Sequence, residues 1–222
     1  MKRWIWILLP GLAALLAACG SQALHGEDEI ALGDTLYSQD FSDASGFETG
    51  DYPAQGASLS IEAGRYQVRQ QAEFAQYIWG QGGEAAQDLN ITVEATPQTR
   101  FEDDLYGVMC RVDETGTGYG FLVSSNGFAA IVYADGRSLS FIQDWHEHDA
   151  IRHGTAQNSL RAVCIGDYLA LYVNGDFVMD AEDDRHIQAG QVGLLGGVLT
   201  FDEPAEMVVS FDNLSVTEAS LR

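Results

Sequence analysis

Read as a pattern of apolar and polar positions, the chain is a succession of short alternating runs. The clearest is 158–180, NSLRAVCIGDYLALYVNGDFVMD. Leu160, Ala162 and Cys164 alternate with Arg161, Val163 and Ile165, and Gly166-Asp167 then turns the chain. Leu169, Leu171 and Val173 alternate with Tyr168, Ala170 and Tyr172 before Asn174-Gly175 turns it again into Phe177–Met179. Period-two alternation broken by two-residue Gly/Asn/Asp turns predicts a three-stranded meander. Asn-Gly suits a type I′ turn because both central residues there need positive φ.

The same grammar recurs about every ten residues from Thr35 onward. TLYSQDF opens the domain, and SLSIEAGRYQV predicts a hairpin at Ala63-Gly64. FAQYIWG, LNITVEAT, LYGVMCRV and YGFLVSS follow, and FAAIVYADGRSLSFIQDW predicts a second hairpin at Asp135-Gly136. QVGLLGGVLTF and EMVVSFDNLSV close the chain. No segment past the leader carries a 3.6-residue apolar stripe, so about a dozen strands in an all-β sandwich or jelly roll are expected. In the last strand Met207, Val209 and Phe211 share one parity while Leu214 and Val216 have the other. A β-bulge at Asp212-Asn213 restores a single inward series.

The N-terminus obeys different rules. Lys2 and Arg3 precede the apolar run Trp4–Leu16, which is short for a membrane span, and Leu16-Ala17-Ala18-Cys19-Gly20 follows. This looks like a bacterial lipobox: residues 1–18 form a signal peptide and Cys19 is acylated, palmitate included, giving an extracytoplasmic membrane anchor. An ordinary secretory signal cut near Ala18 is the other reading. Ser21–Asp34, polar, acidic and without period, reads with Cys19 as a tether (19–34), and the sandwich as 35–218.

Composition narrows the partners. The 222 residues are 46% hydrophobic, enough for one large core, and 33 acidic against 11 basic residues give a formal charge of −22. Such a surface repels phosphate backbones, which excludes nucleic acid as a partner. Lys2 is the sole lysine, so a chain cut after residue 18 has no Schiff-base or phosphate-loop lysine.

Several stretches together resemble a known group: DFSD (40–43), YGVMCRVD (106–113), GYGFLVSSNGF (118–128), LRAVCIGDYLALYVNG (160–175), QVGLLGG (191–197) and FDEPAEMVVSFDNLSV (201–216). They resemble the concanavalin A-like lectin/glucanase domains of bacterial surface lipoproteins, with laminin-G-like, DUF1080 and 3-keto-disaccharide hydrolase relatives. The resemblance runs from about Asp40 to Val216 and implies a two-sheet antiparallel jelly roll whose concave face takes sugars in the members that bind them. The Glu-x-Asp-x-x-Glu strand motif of glycosidases of this fold is absent, so function has to be argued from a site.

Candidate chemistry follows. Members of the resembled group often carry cysteines at the positions of Cys110 and Cys164, which implies a disulfide, expected between strands of one sheet. Two buried free thiols are the other reading. Trp79, Tyr119, Tyr133 and Trp145 come from four strands and are either sugar-stacking platforms or core fillers. Asp144, His146, His148 and His153 form either a zinc or copper cluster or a polar loop. The acidic pairs at 102–104, 182–184 and 202–203 fall in turns. Glucanases of the resembled fold have a calcium at a similar final-strand aspartate, which implies a structural Ca2+ at Asp212 joined by Asp40 and Asp43, against a carboxylate that merely caps the bulge. The expected function is a surface-tethered, monomeric, non-catalytic module for glycans or envelope polymers. A glycoside hydrolase working in the cleft and a purely structural envelope domain are the competing readings.

Overall fold

A computed structural model describes residues 23–43, 46–71, 77–99, 104–199 and 206–222. Its strands are β1 (Ile30–Gln39), β2 (Gly50–Tyr52), β3 (Ala57–Glu62), β4 (Arg65–Gln71), β5 (Tyr77–Ala86), β6 (Leu89–Pro97), β7 (Asp104–Val112), β8 (Thr117–Val123), β9 (Phe128–Asp135), β10 (Leu139–Glu147), β11 (Asn158–Ile165), β12 (Tyr168–Val173), β13 (Asp176–Glu182), β14 (Gly190–Val198) and β15 (Glu206–Leu221). They form two antiparallel sheets. The larger runs β13-β12-β11-β6-β15-β4-β3-β2, with β1 also on β15, and the smaller runs β10-β9-β8-β7-β14-β5. This is the predicted jelly-roll sandwich.

The alternation seen in sequence sets the packing. Leu160, Ala162, Cys164, Leu169, Leu171 and Val173 face inward and meet Tyr106, Val108, Cys110, Phe121 and Ile131 of the smaller sheet. Asn174 and Gly175 both have positive φ, 54° and 93°, as the turn between β12 and β13 requires. In β15 the register shifts between Asp212 and Ser215, Asn213 takes φ 51°, and Met207, Val209, Phe211, Leu214 and Val216 all reach the core. That is the expected bulge.

Cys110 and Cys164 are bonded, with Cα atoms 6.8 Å apart. The bond does not lie within one sheet: Cys110 is on β7 of the smaller sheet and Cys164 on β11 of the larger, both on inward parity. It therefore pins the two layers together across the core. Next to it Arg111 is wholly buried at φ 57° and donates to the carbonyls of Gln87 and Gly166 at 2.7 and 2.8 Å and to Asp88 at 3.3 Å. One guanidinium thereby holds the β5–β6 and β11–β12 turns at the same end of the sandwich.

The fold begins earlier than the sequence suggested. β1 starts at Ile30, inside the acidic stretch expected to be tether, and the residues before it are docked. From Ile30, buried beside Ala219 on the outer face of the larger sheet, the chain crosses that face. Glu27 bonds Arg161 of β11 at 2.5 Å, His25 packs edge-on against Tyr168 of β12 at 4.8 Å, and the Leu24 amide donates to Asp180 of β13 at 2.6 Å. Arg222 fixes the other terminus here through the Glu29 carbonyl at 2.9 Å. This strap covers Val163, Ile165, Tyr168, Ala170 and Tyr172, the outward set of the meander. Cys19 and the leader lie outside the described residues.

Candidate functional site

The outer face of the smaller sheet is built from the opposite parity. Met109, Leu122, Ala130, Val132 and Leu195 form its floor, with Trp79 at the β5 edge and Trp145 at the β10 edge. The register runs straight across: Trp79 opposes Leu195, Leu195 opposes Gly107, Gly107 opposes Leu122, and Leu122 opposes Ala130. Five strand steps separate the two tryptophans, about 24 Å.

A cleft of about 440 Å³ opens at the β5 end of this face. Tyr77 and Trp79, two apart on one strand, point the same way and stack with ring centroids 5.9 Å apart and planes 28° apart. Gly80 between the two layers admits the Tyr66 ring: a Cβ there would lie 1.7 Å from the Tyr66 hydroxyl, which donates to the Glu48 carbonyl. The Glu48 amide in turn donates to the Gln81 carbonyl at 3.0 Å, so the segment carrying Glu48, Tyr52 and Gln55 seals the β5 edge and walls the cleft.

The facing wall comes from two turns. Asp113 accepts the amides of Thr115 and Thr117, and Asp135 those of Arg137 and Ser138. Burial opposes ionisation of Asp113, but its hydrogen bonds to Thr115 and Thr117 win and hold its carboxyl below the usual range. The Ser138 and Arg137 amides do the same for Asp135. Both turns therefore keep their caps at neutral pH. The first turn leans back over the sheet until Gly116, at φ 82°, touches the Trp79 ring. Any side chain there would collide, its Cβ 2.3 Å from a ring carbon.

Polar groups converge on the platform. The Trp79 indole faces Gln81 at 3.4 Å, and Gln81 is held by Gln191 at 2.9 Å. Tyr52 donates to a Glu48 carboxylate oxygen at 2.6 Å, which pushes the Tyr52 pKa up to about 12. Glu114 adds a second carboxylate to the lining. The Tyr77 hydroxyl is sealed from solvent with no hydrogen-bond partner, and burial together with the nearby Asp135 carboxylate raises its pKa.

Of the four aromatic residues expected to handle a ligand, Trp79 lines this cleft and Trp145 lies at the far edge of the same face. Tyr119 and Tyr133 do not share that face. They point toward the interior, 5.8 Å apart. Tyr119 is a core residue whose hydroxyl donates to Asp183 at 2.8 Å and accepts the His186 amide at 2.9 Å, while Arg185 covers the Tyr133 ring at 4.4 Å. Tyr77, Tyr52, Glu48 and Glu114 were not singled out in sequence. The Tyr77-x-Trp79 spacing was the available signal, since residues two apart on a strand share a face.

The metal candidates do not assemble. Among the described residues no three His, Cys, Asp or Glu side chains converge. β1 and β15 do pair, Gln39 opposite Leu214. Yet Asp40 accepts the amide and hydroxyl of Ser42, Asp212 caps the Asn213 amide at 2.8 Å with Arg65 3.8 Å away, and Asp43 lines a separate furrow with Asp51. A guanidinium at that distance disfavours a second cation, so the residues present do not fit calcium. His146 bonds the Asp144 carbonyl of its own strand, β10, at 2.6 Å, and His148, just past that strand, accepts the Ala150 amide at 3.2 Å.

Neither a protein-family model nor a curated protein sequence matches the chain. Solved structures do. The carbohydrate-binding module CBM66 from Bacillus subtilis is similar at a TM-score of 0.62 and 16% identity, over 78% of this chain and 96% of that one. A prokaryotic β-1,3-1,4-glucanase (lichenase) derived from a mouse hindgut metagenome is similar at 0.60 and 10%, over 82% and 98%. Bacillus licheniformis β-glucanase is similar at 0.60 and 7%, over 84% and 98%. The fold is thus the concanavalin A-like jelly roll, shared by a carbohydrate-binding module and by glucanases.

Proposed function

We propose that the protein is a lipid-anchored, extracytoplasmic carbohydrate-binding module that holds a glycan or envelope polymer without cleaving it. The stacked Tyr77–Trp79 pair on the floor of the cleft carries this reading. Sugar rings present C–H faces that pack on such platforms, and Gln81, Gln55 and Tyr52 supply hydrogen bonds around them.

Glu48 and Glu114 line the same cleft, which is the observation favouring hydrolysis as the second reading. A glycosidase needs one carboxyl held protonated near neutral pH. Among the described residues Asp104 is the carboxyl that burial raises, and both its oxygens are taken by Ser124 and Ser125 away from the cleft. Binding is therefore the better fit. Calorimetry of the soluble domain against a panel of oligosaccharides, paired with a reducing-sugar assay, tests it: binding that Trp79→Ala abolishes, with no sugar released, is expected. Sugar release lost in Glu48→Gln or Glu114→Gln would establish the hydrolase instead. Detergent-phase partition lost in Cys19→Ser tests the anchor.

A further inference from the structure

We propose that the cleft selects its glycan by charge, favouring amino sugars with free ammonium groups and rejecting uronic acids. The inference rests on the sugar-binding reading and concerns its ligand class. The lining contains two carboxylates, Glu48 and Glu114, and no lysine, arginine or histidine. Behind them Asp113 and Asp135 root the two turns that form the facing wall, and each is held ionised by the backbone amides it caps. Arg137, on the second of these turns, is not part of the lining.

The platform itself favours the same sign. Aromatic faces carry the negative lobe of the ring quadrupole, so an ammonium above Tyr77 and Trp79 is attracted and a carboxylate repelled. Tyr52 donates its hydroxyl to Glu48, which leaves that wall accepting. A uronate would place its carboxylate among Glu48, Glu114 and two ring faces with no cation in the lining to meet it. An amine at the same position meets carboxylates on both walls.

The test compares one backbone in two forms and a charged contrast. Binding of a β-1,4-glucosamine hexamer, its N-acetylated counterpart and an oligogalacturonate is measured at low and at high salt. The amine form is expected to bind roughly tenfold tighter than the N-acetylated form at low salt, with the uronate weakest and the spread shrinking as salt screens the walls. Glu114→Gln should cut the amine-to-acetyl ratio at least threefold, about one surface ion pair. Glu62→Gln, which removes an equal charge on β3 outside the lining, should leave the ratio unchanged and so separates the cleft from the field of a chain at −22. A uronate that binds as well as the amine form, or a ratio equally sensitive to Glu62→Gln, overturns the proposal while leaving sugar binding intact. Failure of these three and of the whole oligosaccharide panel overturns the sugar-binding reading itself.

Discussion

The outer faces of the two sheets pose one physical problem and solve it differently. Each carries apolar residues on the strand parity that points away from the core. On the larger sheet, Val163, Ile165, Tyr168, Ala170 and Tyr172 are covered by the chain's own strap from Leu24 to Ile30. On the smaller sheet the floor residues are buried, and at β5 Tyr77 and Trp79 line an open cleft. A sheet face occupied by its own polypeptide is a structural element, whereas one that keeps a polar-rimmed aromatic platform has room for a ligand.

Changes on the two faces should therefore separate stability from affinity, against what both faces share. The Cys110–Cys164 bond fixes the layers and closes a loop with a sequence separation of 54. Replacing both cysteines by alanine should cost about 4 kcal/mol by urea unfolding, the largest loss of the set. Ile30→Ala removes the anchor of the strap and should cost about 2 kcal/mol while glycan affinity stays unchanged. Trp79→Ala should show the reverse, an affinity at least tenfold lower with cooperative unfolding retained. Any variant that moves both readouts together breaks the comparison.

A smaller effect distinguishes a buried acid from the acids of the cleft. Burial raises the Asp104 pKa above its ordinary value of 3.8, so the folded state favours the protonated form. Its stabilising contribution is complete below that ordinary value and is lost as pH rises through the folded one. Asp104→Asn should gain stability over the parent between pH 3.5 and 7, read as a widening difference in melting temperature. A constant difference would mean that folding leaves the Asp104 pKa unshifted. Least of all, excess calcium against chelator should leave the melting temperature unchanged, because Arg65 already faces Asp212.

Much of the sandwich is written in local pattern. Asn174-Gly175 and the alternation around it specify β11 to β13, and the parity switch after Phe211 exposes the bulge in β15. What local pattern leaves open is which parity faces inward when both are apolar. In β8, Tyr119, Phe121 and Val123 alternate with Gly120 and Leu122, and all are buried. That ambiguity is why Tyr119 and Tyr133 read like Trp79 and Trp145, whereas the sheet that each cysteine strand joins is set by the topology alone. The strap was hidden for another reason: EDEI has no period, and its partners Arg161, Tyr168 and Asp180 lie more than 130 residues away. The cleft gathers Glu48, Tyr77, Trp79, Glu114 and Gly136 from four distant segments, a convergence that only the topology provides.

The docked strap would set the posture of an anchored domain. With the lipid that we propose at Cys19, five residue steps reach Leu24, which is fastened to β13 at the margin of the larger sheet. Fully extended, that leash spans about 17 Å. If that anchor is present, a leash so short would keep the larger sheet near the bilayer and restrict tumbling. The cleft, on the outer face of the opposite layer, would then be turned away from the membrane.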